Sequence, residues 1–562
     1  MSFFPFREIP WILLSLGYGV SVWAIGDTLS MGRPSARSLP PPNYRHNSSS
    51  EVFILPAIPL SADEHSDIDH KFFVKRIVLE GNTIFPEREL QAMTQPYEGR
   101  EVSIAELEEL RQRLTRYYIE HGYINSGAII PADAFKDGEL RFNIIEGRID
   151  EIRLKGMNRL REDYVKNRLW NDSGKPFNLP VLQDRFQLLL LDPLITQMTG
   201  RILPGDIPGH SILDVAVTRA QPYQLSLFAN NQRAPSVGAE GYGLSGWVRN
   251  LTGLGDVFDF SLTTSNGSRN YTGGASLPIT GSGTQIFFHF DEGRSVVIEE
   301  PLQEINIRSK VNNLEGGIRY PLIDTLHQHL GIGLTLAIRE NKTTLLNQSL
   351  SFVPGEPTGN NRGTVIRLFQ DYSQQREDHA LVARSTFSIG IDAWGATIAQ
   401  DRNYPDSKFF AWLGQAQYAH RFSAHGSQFV VRTNAQLSND PLLPLERMAA
   451  GGLSTVRGYR ENQLVRDQGY TLSTELRYPL FGGADSNTKY HLILVPFMDY
   501  GRAWNHKQSA TTLASVGIGL DWQFKLLRAE IYYGYPLDKP ESLQNERLLD
   551  RGIHFQVRLD MF

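Results

Sequence analysis

From Gln221 to the C-terminus the chain alternates apolar and polar residues in short runs, with no sustained helical period. Leu330, Ile332, Leu334, Leu336 and Ile338 fall on one side of such a run, and Gly331, Gly333, Thr335 and Ala337 on the other. Val516, Ile518, Leu520, Trp522 and Phe524 oppose Gly517, Gly519, Asp521 and Gln523. The same holds for Phe258, Phe260 and Leu262 against Asp259, Ser261 and Thr263, and for Leu472, Leu476, Tyr478 and Leu480 against Ser473, Glu475 and Arg477. A period of two marks extended strands with two unlike faces. Each run is about nine or ten residues, the length a tilted strand needs to cross a bilayer. A soluble sandwich also alternates, but a stretch of this length would have to divide into several domains. The polar face, made of Gly, Ser, Thr, Asn, Gln and charges, suits a wet bore with lipid outside. Backbone groups left unpaired in lipid cost several kcal/mol each, so the sheet must close on itself. At roughly 20 residues per strand and loop, the region 221–562 predicts a transmembrane β-barrel of about 16 antiparallel strands. Trp247, Tyr271, Trp394, Trp412, Trp504 and Tyr535 lie near run ends and read as interfacial girdles.

Upstream the period changes. Residues 72–147 and 148–220 read as two small α/β units with the same order of parts. The first opens with a strand, Phe72 to Leu79, and a turn at Gly81-Asn82. Ser103 followed three residues on by Glu106 forms a capping box. Ile104, Leu107, Leu110, Leu114 and Tyr117 then make a helical apolar stripe, and Gly122 takes the C′ position. Strands at Tyr123 to Ile130 and Glu139 to Glu146 follow. In the second unit Ile152 to Leu154 is a strand, Gly156-Met157-Asn158 a turn, and a helix runs from about Leu179 to Asp192-Pro193. Gly200 to Leu203 and Ser211 to Thr218 are the closing strands. A strand followed by Gly and Asn in both units is a weak internal repeat. Residues 27–71 have the Pro- and Ser-rich composition of a linker, interrupted by the apolar stretch Val52 to Leu60, which reads as a docking segment or a stiff spacer. The apolar run Ile9 to Ile25 follows Arg7 and ends at Ala24 and Gly26, so residues 1–26 read as a secretory signal.

Composition narrows the chemistry. With 56 basic and 61 acidic residues the net charge is -5, which argues against a nucleic-acid partner. No cysteine is present, which excludes disulfides, thiolate metal sites and a cysteine nucleophile. Ser173-Gly174-Lys175-Pro176 lacks the phosphate-loop pattern, and neither H-E-x-x-H nor G-x-S-x-G occurs. No catalytic residue, metal site or cofactor is therefore assigned. The 14 histidines are scattered, and His327 and His329 fall in a strand-end turn.

Two short constellations remain. Val456-Arg457-Gly458-Tyr459 lies between Gly451-Gly452-Leu453-Ser454-Thr455 and Arg460-Glu461-Asn462, and Phe497-Met498-Asp499-Tyr500-Gly501 follows downstream. Together they resemble the V-R-G-Y/F and F-x-D-x-G motifs of the outer-membrane superfamily that joins periplasmic POTRA domains to a 16-stranded barrel. Gly122-Tyr123-Ile124, Asp137-Gly138-Glu139-Leu140 and Ile145-Glu146-Gly147 are similar to the close of the first POTRA domain in two-partner secretion transporters of the haemolysin-activator type. Leu203-Pro204-Gly205, Pro208-Gly209 and Ser211-Ile212-Leu213 resemble the close of the second. The resemblance covers residues 70–562.

The resemblance implies a pore in the outer membrane of a Gram-negative-type bacterium. It would recognise one large partner protein through periplasmic POTRA domains and secrete it to the cell surface without nucleotide hydrolysis. It places Val456, Arg457, Gly458 and Tyr459 on a loop folded into the lumen, and implies that Arg457 pairs with Asp499 of the wall motif Phe497, Asp499, Gly501. Phe562 would be the C-terminal residue read by the barrel-assembly machinery, although Ile553, Phe555, Val557, Leu559 and Met561 alternate out of step with it. A plug helix in the lumen, frequent in the family, has no amphipathic counterpart in residues 27–50. Rival functions are an outer-membrane assembly or insertion factor, which tends to carry more POTRA domains, an outer-membrane lipase, for which no Ser–His motif is present, and a passive porin, which lacks periplasmic units.

Overall fold

The computed structural model describes Leu39, the strand Phe53–Ile54, and residues 71–170, 174–300, 302–351, 353–401, 403–423, 425–482, 490–538 and 547–561. The expected signal, most of the linker and Phe562 lie outside the described residues.

The two upstream units share one plan: strand, two helices, then a β-hairpin whose last strand pairs in parallel with the first. In the first unit Arg76–Glu80 pairs with Glu139–Ile145; in the second Arg148–Lys155 pairs with His210–Arg219. The repeated glycine has one job in both. Gly81 (φ 93°) and Gly156 (φ 79°) turn the chain off its strand so close to the last strand that a Cβ would meet Ile144 O at 2.4 Å or Val217 O at 2.1 Å. The helices Glu87–Thr94 and Glu162–Leu169, short and mostly polar, carry too little apolar period to be legible in the sequence. The predicted strand Phe72 to Leu79 is two strands, Lys71–Val74 and Arg76–Glu80, and Tyr123 to Ile130 shortens to Gly127–Ile129. On the helix Ile104–Glu120, Leu107, Leu110 and Leu114 are buried. The stripe continues at Tyr118 rather than Tyr117, and Ile104 is exposed because it stands at the first turn, beyond the sheet.

The capping box forms: Ser103 Oγ accepts from Glu106 N at 3.3 Å, and the Glu106 carboxylate accepts from Ser103 N at 2.8 Å. That backbone hydrogen bond, with Arg100 beside it, pulls the Glu106 carboxyl down to about 2. A depressed acid stabilises the fold above its ordinary pKa and ceases to do so as pH falls through the folded value. Amide protection at Ser103, whose N–H donates to this carboxylate, corrected for intrinsic exchange, is therefore expected to decline between pH 4.5 and about 2 and to be flat with pH in Glu106→Gln. An unchanged profile in that variant would contradict the assignment.

Past Ala220 the chain forms a closed barrel in which consecutive strands pair antiparallel, from Tyr223–Asn230 to Ile553–Asp560, the pair that closes it. Sixteen strands make the wall; the two-residue strand Gln348–Ser349 only folds back on the end of Gln328–Leu345. The alternation sorts as lipid against bore. Leu334, Leu336, Val516, Ile518, Leu520, Trp522, Phe258, Phe260, Leu262, Leu472 and Leu476 are exposed outward, while Thr335, Ala337, Ser261, Ser473 and Glu475 are buried inside. The second α/β unit sits beneath the turn 250–256, where Arg161 N donates to Gly253 O at 3.0 Å. Strands alternate in direction, so the loop 439–467 leaves from the far end.

Trp247 corrects the girdle reading. It points into the bore, buried, with the Arg249 guanidinium 3.7 Å from its ring centroid and its Nε1 donating to Gln224. Counting from exposed Tyr242 puts Leu244, Gly246 and Val248 on the lipid face, and a glycine there hides the parity. Trp394 lies in the loop after Ile391 rather than on a strand, whereas Tyr271 and Tyr535 are exposed on their strands.

Candidate functional site

The loop between strands Gln428–Ser438 and Gln468–Phe481 folds back into the bore. Its stem is an antiparallel pair, Met448–Ala450 with Leu464–Arg466. Gly451 (φ 105°), Gly452 (φ 103°) and Gly458 (φ 88°) take conformations that side chains resist, so the apex turns tightly. Val456, Arg457 and Tyr459 are almost wholly buried.

Phe497, Asp499 and Gly501 are spaced by two on the strand Tyr490–Trp504 and so share its inner face. Each meets a different part of the apex. The Phe497 ring lies under the Arg457 guanidinium, 3.7 Å from centroid to Cζ. Asp499 Oδ2 accepts from Arg457 N at 3.0 Å and Nε at 2.7 Å, and Oδ1 accepts from Nη2 at 2.7 Å. Gly501 leaves room for Val456, whose Cγ2 would lie 2.8 Å from a Cβ there. Two residues of the neighbouring strand complete the ring: Nη1 donates to Glu475 at 2.6 Å and Nη2 to Ser473 at 2.9 Å. Every guanidinium nitrogen thus has an acceptor, the condition under which a charge can be held out of water. Tyr459 packs with Val456, Ala450, Leu464, Ala503 and Leu513, and its hydroxyl lies 2.9 Å from the carbonyl oxygens of Ala514 and Asp538. All seven motif residues meet at one place.

Other anchors carry no motif. Glu446, near the start of the loop, accepts two hydrogen bonds of 2.9 Å from Arg367 and lies 3.4 Å from Arg339. These arginines stand on Asn360–Gln375 and Gln328–Leu345, a part of the wall separated from Glu475 by three strands. Asp467 closes the base of the loop, accepting from Leu442 N at 3.1 Å and pairing with Arg447 at 3.0 Å. Arg460 reaches Glu299 at 2.9 Å and also pairs with Asp550, joining the loop to two others at the far rim. Among the described residues no cluster of three potential metal ligands occurs.

The chain is thus a closed 16-stranded barrel on α/β units, with a motif loop pinned inside. A family model described as haemolysin secretion/activation protein ShlB/FhaC/HecB matches residues 209–523, more than half of the chain. The chain belongs to this family. It is an outer-membrane transporter of the two-partner secretion class. A model for the ShlB-type POTRA domain matches residues 72–147. The chain is 22% identical over 504 residues to the outer membrane transporter CdiB of Dickeya dadantii, covering 85% of each chain. It is 22% identical over 548 residues to the heme/hemopexin transporter protein HuxB of Haemophilus influenzae, covering 91% of each. The solved structure of CdiB from Escherichia coli superposes with a TM-score of 0.68 at 21% identity, covering 89% of this chain and 92% of that one, a likeness of fold.

Proposed function

We propose that this transporter moves one large partner protein from the periplasm through its bore, that the loop 439–467 is the plug the partner displaces, and that Arg457 and Asp499 are its latch. The observation that carries the reading is the way the loop is held. The latch is ionic and hydrogen-bonded on both sides, so its partners keep acceptors and donors that water or a passing polypeptide can satisfy once the loop moves. A purely apolar plug would leave a greasy wall in a wet channel. Folding of the exported chain outside supplies the direction, with no nucleotide.

We further infer that the partner is received as an extended strand on the second α/β unit, which we read as a second POTRA domain spanning 148–220. Its sheet ends at the strand Ile195–Pro204, and there the chain's own linker strand, Phe53–Ile54, pairs in parallel with Gly200 and Arg201. An edge that accepts two residues of a linker is an edge to which another chain can add through backbone hydrogen bonds. Of the apolar stretch Val52 to Leu60, Phe53 and Ile54 pair at this point and the others lie outside the described residues. The experiment uses a photo-crosslinker on Arg201→Cys, with Glu151→Cys on the opposite sheet edge as the comparison. The probe is a candidate large exported partner protein, stalled in transit. Adducts are expected several-fold more often at Arg201 than at Glu151; equal yields would remove the edge, and absence of any adduct with this partner would remove the export reading.

A further inference from the structure

The last strand closes the barrel against the first through only five register pairs, Ser226 with Asp560 to Asn230 with Gln556. This is the shortest pairing between adjacent wall strands among the described residues; the pair Arg308–Asp324 and Gln328–Leu345 has 16. Just outside these pairs single backbone bonds remain, Met561 N to Leu225 O at 2.8 Å at one end and Asn231 N to Phe555 O at 3.3 Å at the other, and at the second a side chain reinforces the ladder. Asn231 is fully buried; its Nδ2 donates to Ile553 O at 2.8 Å and its Oδ1 accepts from Phe555 N at 2.9 Å. The amide imitates one more rung.

Between the two clamped residues stands His554, which points the other way, into the bore, with no exposed surface. Its Nε2 accepts from the backbone N–H of Gly458, the apex of the lumen loop, at 2.9 Å. Because an N–H faces Nε2, the ring must be neutral with its proton on Nδ1. Backbone contact reinforces the hydrogen bond. Gly534 N donates to Gly552 O at 2.8 Å, and a Cβ on Gly534 would lie 2.5 Å from Gly458 N. The loop apex therefore rests on the final hairpin as well as on the wall that carries Asp499.

We propose that His554 is a positioning residue that makes seating of the lumen loop and closure of the seam one equilibrium. The loop gives its Gly458 N–H to the strand that closes the barrel; when the loop leaves, that strand loses an internal support at its clamped end, and the wall loosens where its ladder is shortest. Displacing the plug and widening the bore are then the same event. This rests on reading the loop as a plug, but its test needs no partner and no secretion.

The chain has no cysteine, so introduced thiols are unambiguous. Val456→Cys with Gly501→Cys places two sulfurs at the latch, and oxidation fixes the loop to its wall. In lipid nanodiscs, amide exchange along Ile553–Asp560 is expected to slow about tenfold on oxidation, a coupling of about 1.4 kcal/mol, while Gln328–Leu345 is unchanged. In His554→Ala the same oxidation should leave seam exchange unaltered. His554→Gln, whose amide oxygen can accept from Gly458, should restore part of the effect. Exchange at the seam that ignores oxidation with His554 present overturns the proposal, as does equal slowing in His554→Ala. If the alanine variant does not insert, the first comparison and the glutamine variant still decide.

Discussion

Asp499→Ala is expected to abolish export while the barrel still inserts. Asp499 is fully buried and accepts three hydrogen bonds from Arg457, one from its backbone and two from its guanidinium. Removing one partner of a buried ion pair costs about 3–5 kcal/mol, because the other charge stays out of water unpaired. Against the seated loop that is a shift of about 10² to several times 10³ in the ratio of seated to released forms. Arg457 keeps Glu475, but Glu475 also serves Arg432 at 2.6 Å and Arg477 at 3.5 Å and cannot turn toward Arg457 alone. The wall itself is untouched: the ladder of Tyr490–Trp504 with its neighbours is made of backbone, so the folded barrel should keep its heat-modifiable mobility. Conductance in planar bilayers should rise as surface delivery of the partner falls. Exchanging the two residues should not rescue the function, since the backbone N–H of Arg457 needs an acceptor on the strand. Normal export by Asp499→Ala would refute the latch.

How much of this was legible in the sequence depends on whether the information is local. The barrel was legible because a strand with lipid on one side and water on the other writes a period of two, and Leu330 to Ile338 repeats it without a break. The meeting of Arg457 with Asp499 was implied by a resemblance of motifs, and the spacing of Phe497, Asp499 and Gly501 already put them on one face. The rest is set by register. Glu475 stood on the polar face of its run in the sequence, but that it joins Arg457 follows from Ser473 pairing with Asp499 across two strands, a result of how the whole sheet staggers. His554 and Glu446 are single residues far from their partners, 96 positions in one case and 79 in the other, with no motif around them. Trp247 failed for the opposite reason: its position near a run end was local, but its face could be known only by counting through Gly246.

Glu446→Ala is expected to open the bore as widely as Asp499→Ala does, although Glu446 touches neither motif. The carboxylate lies between Arg367 and Arg339, both almost wholly buried, and its loss takes from Arg367 the acceptor of two hydrogen bonds, with Glu315 standing 3.9 Å away. By the same reasoning the penalty is about 3–5 kcal/mol. What decides the phenotype is whether the loop moves in pieces or as one body. The stem pairs Met448–Ala450 with Leu464–Arg466, Asp467 binds Leu442 and Arg447 across the base, and Gln436 Nε2 bonds the carbonyls of Glu446 and Asp467 at 2.9 and 3.1 Å. These contacts join the two ends of the loop, so strain at Glu446 passes through the stem to Arg457. A single body held at two places on the wall should leave both when either fails. Single-channel conductance of Glu446→Ala, Asp499→Ala and the double variant should then agree within about twofold, because the first substitution already exceeds what keeps the loop seated. Glu446→Gln, which keeps an acceptor for Arg367, should fall between wild type and alanine. Conductance that rises stepwise, with the double variant far above either single one, would mean that the loop is hinged and that each anchor holds only its own half.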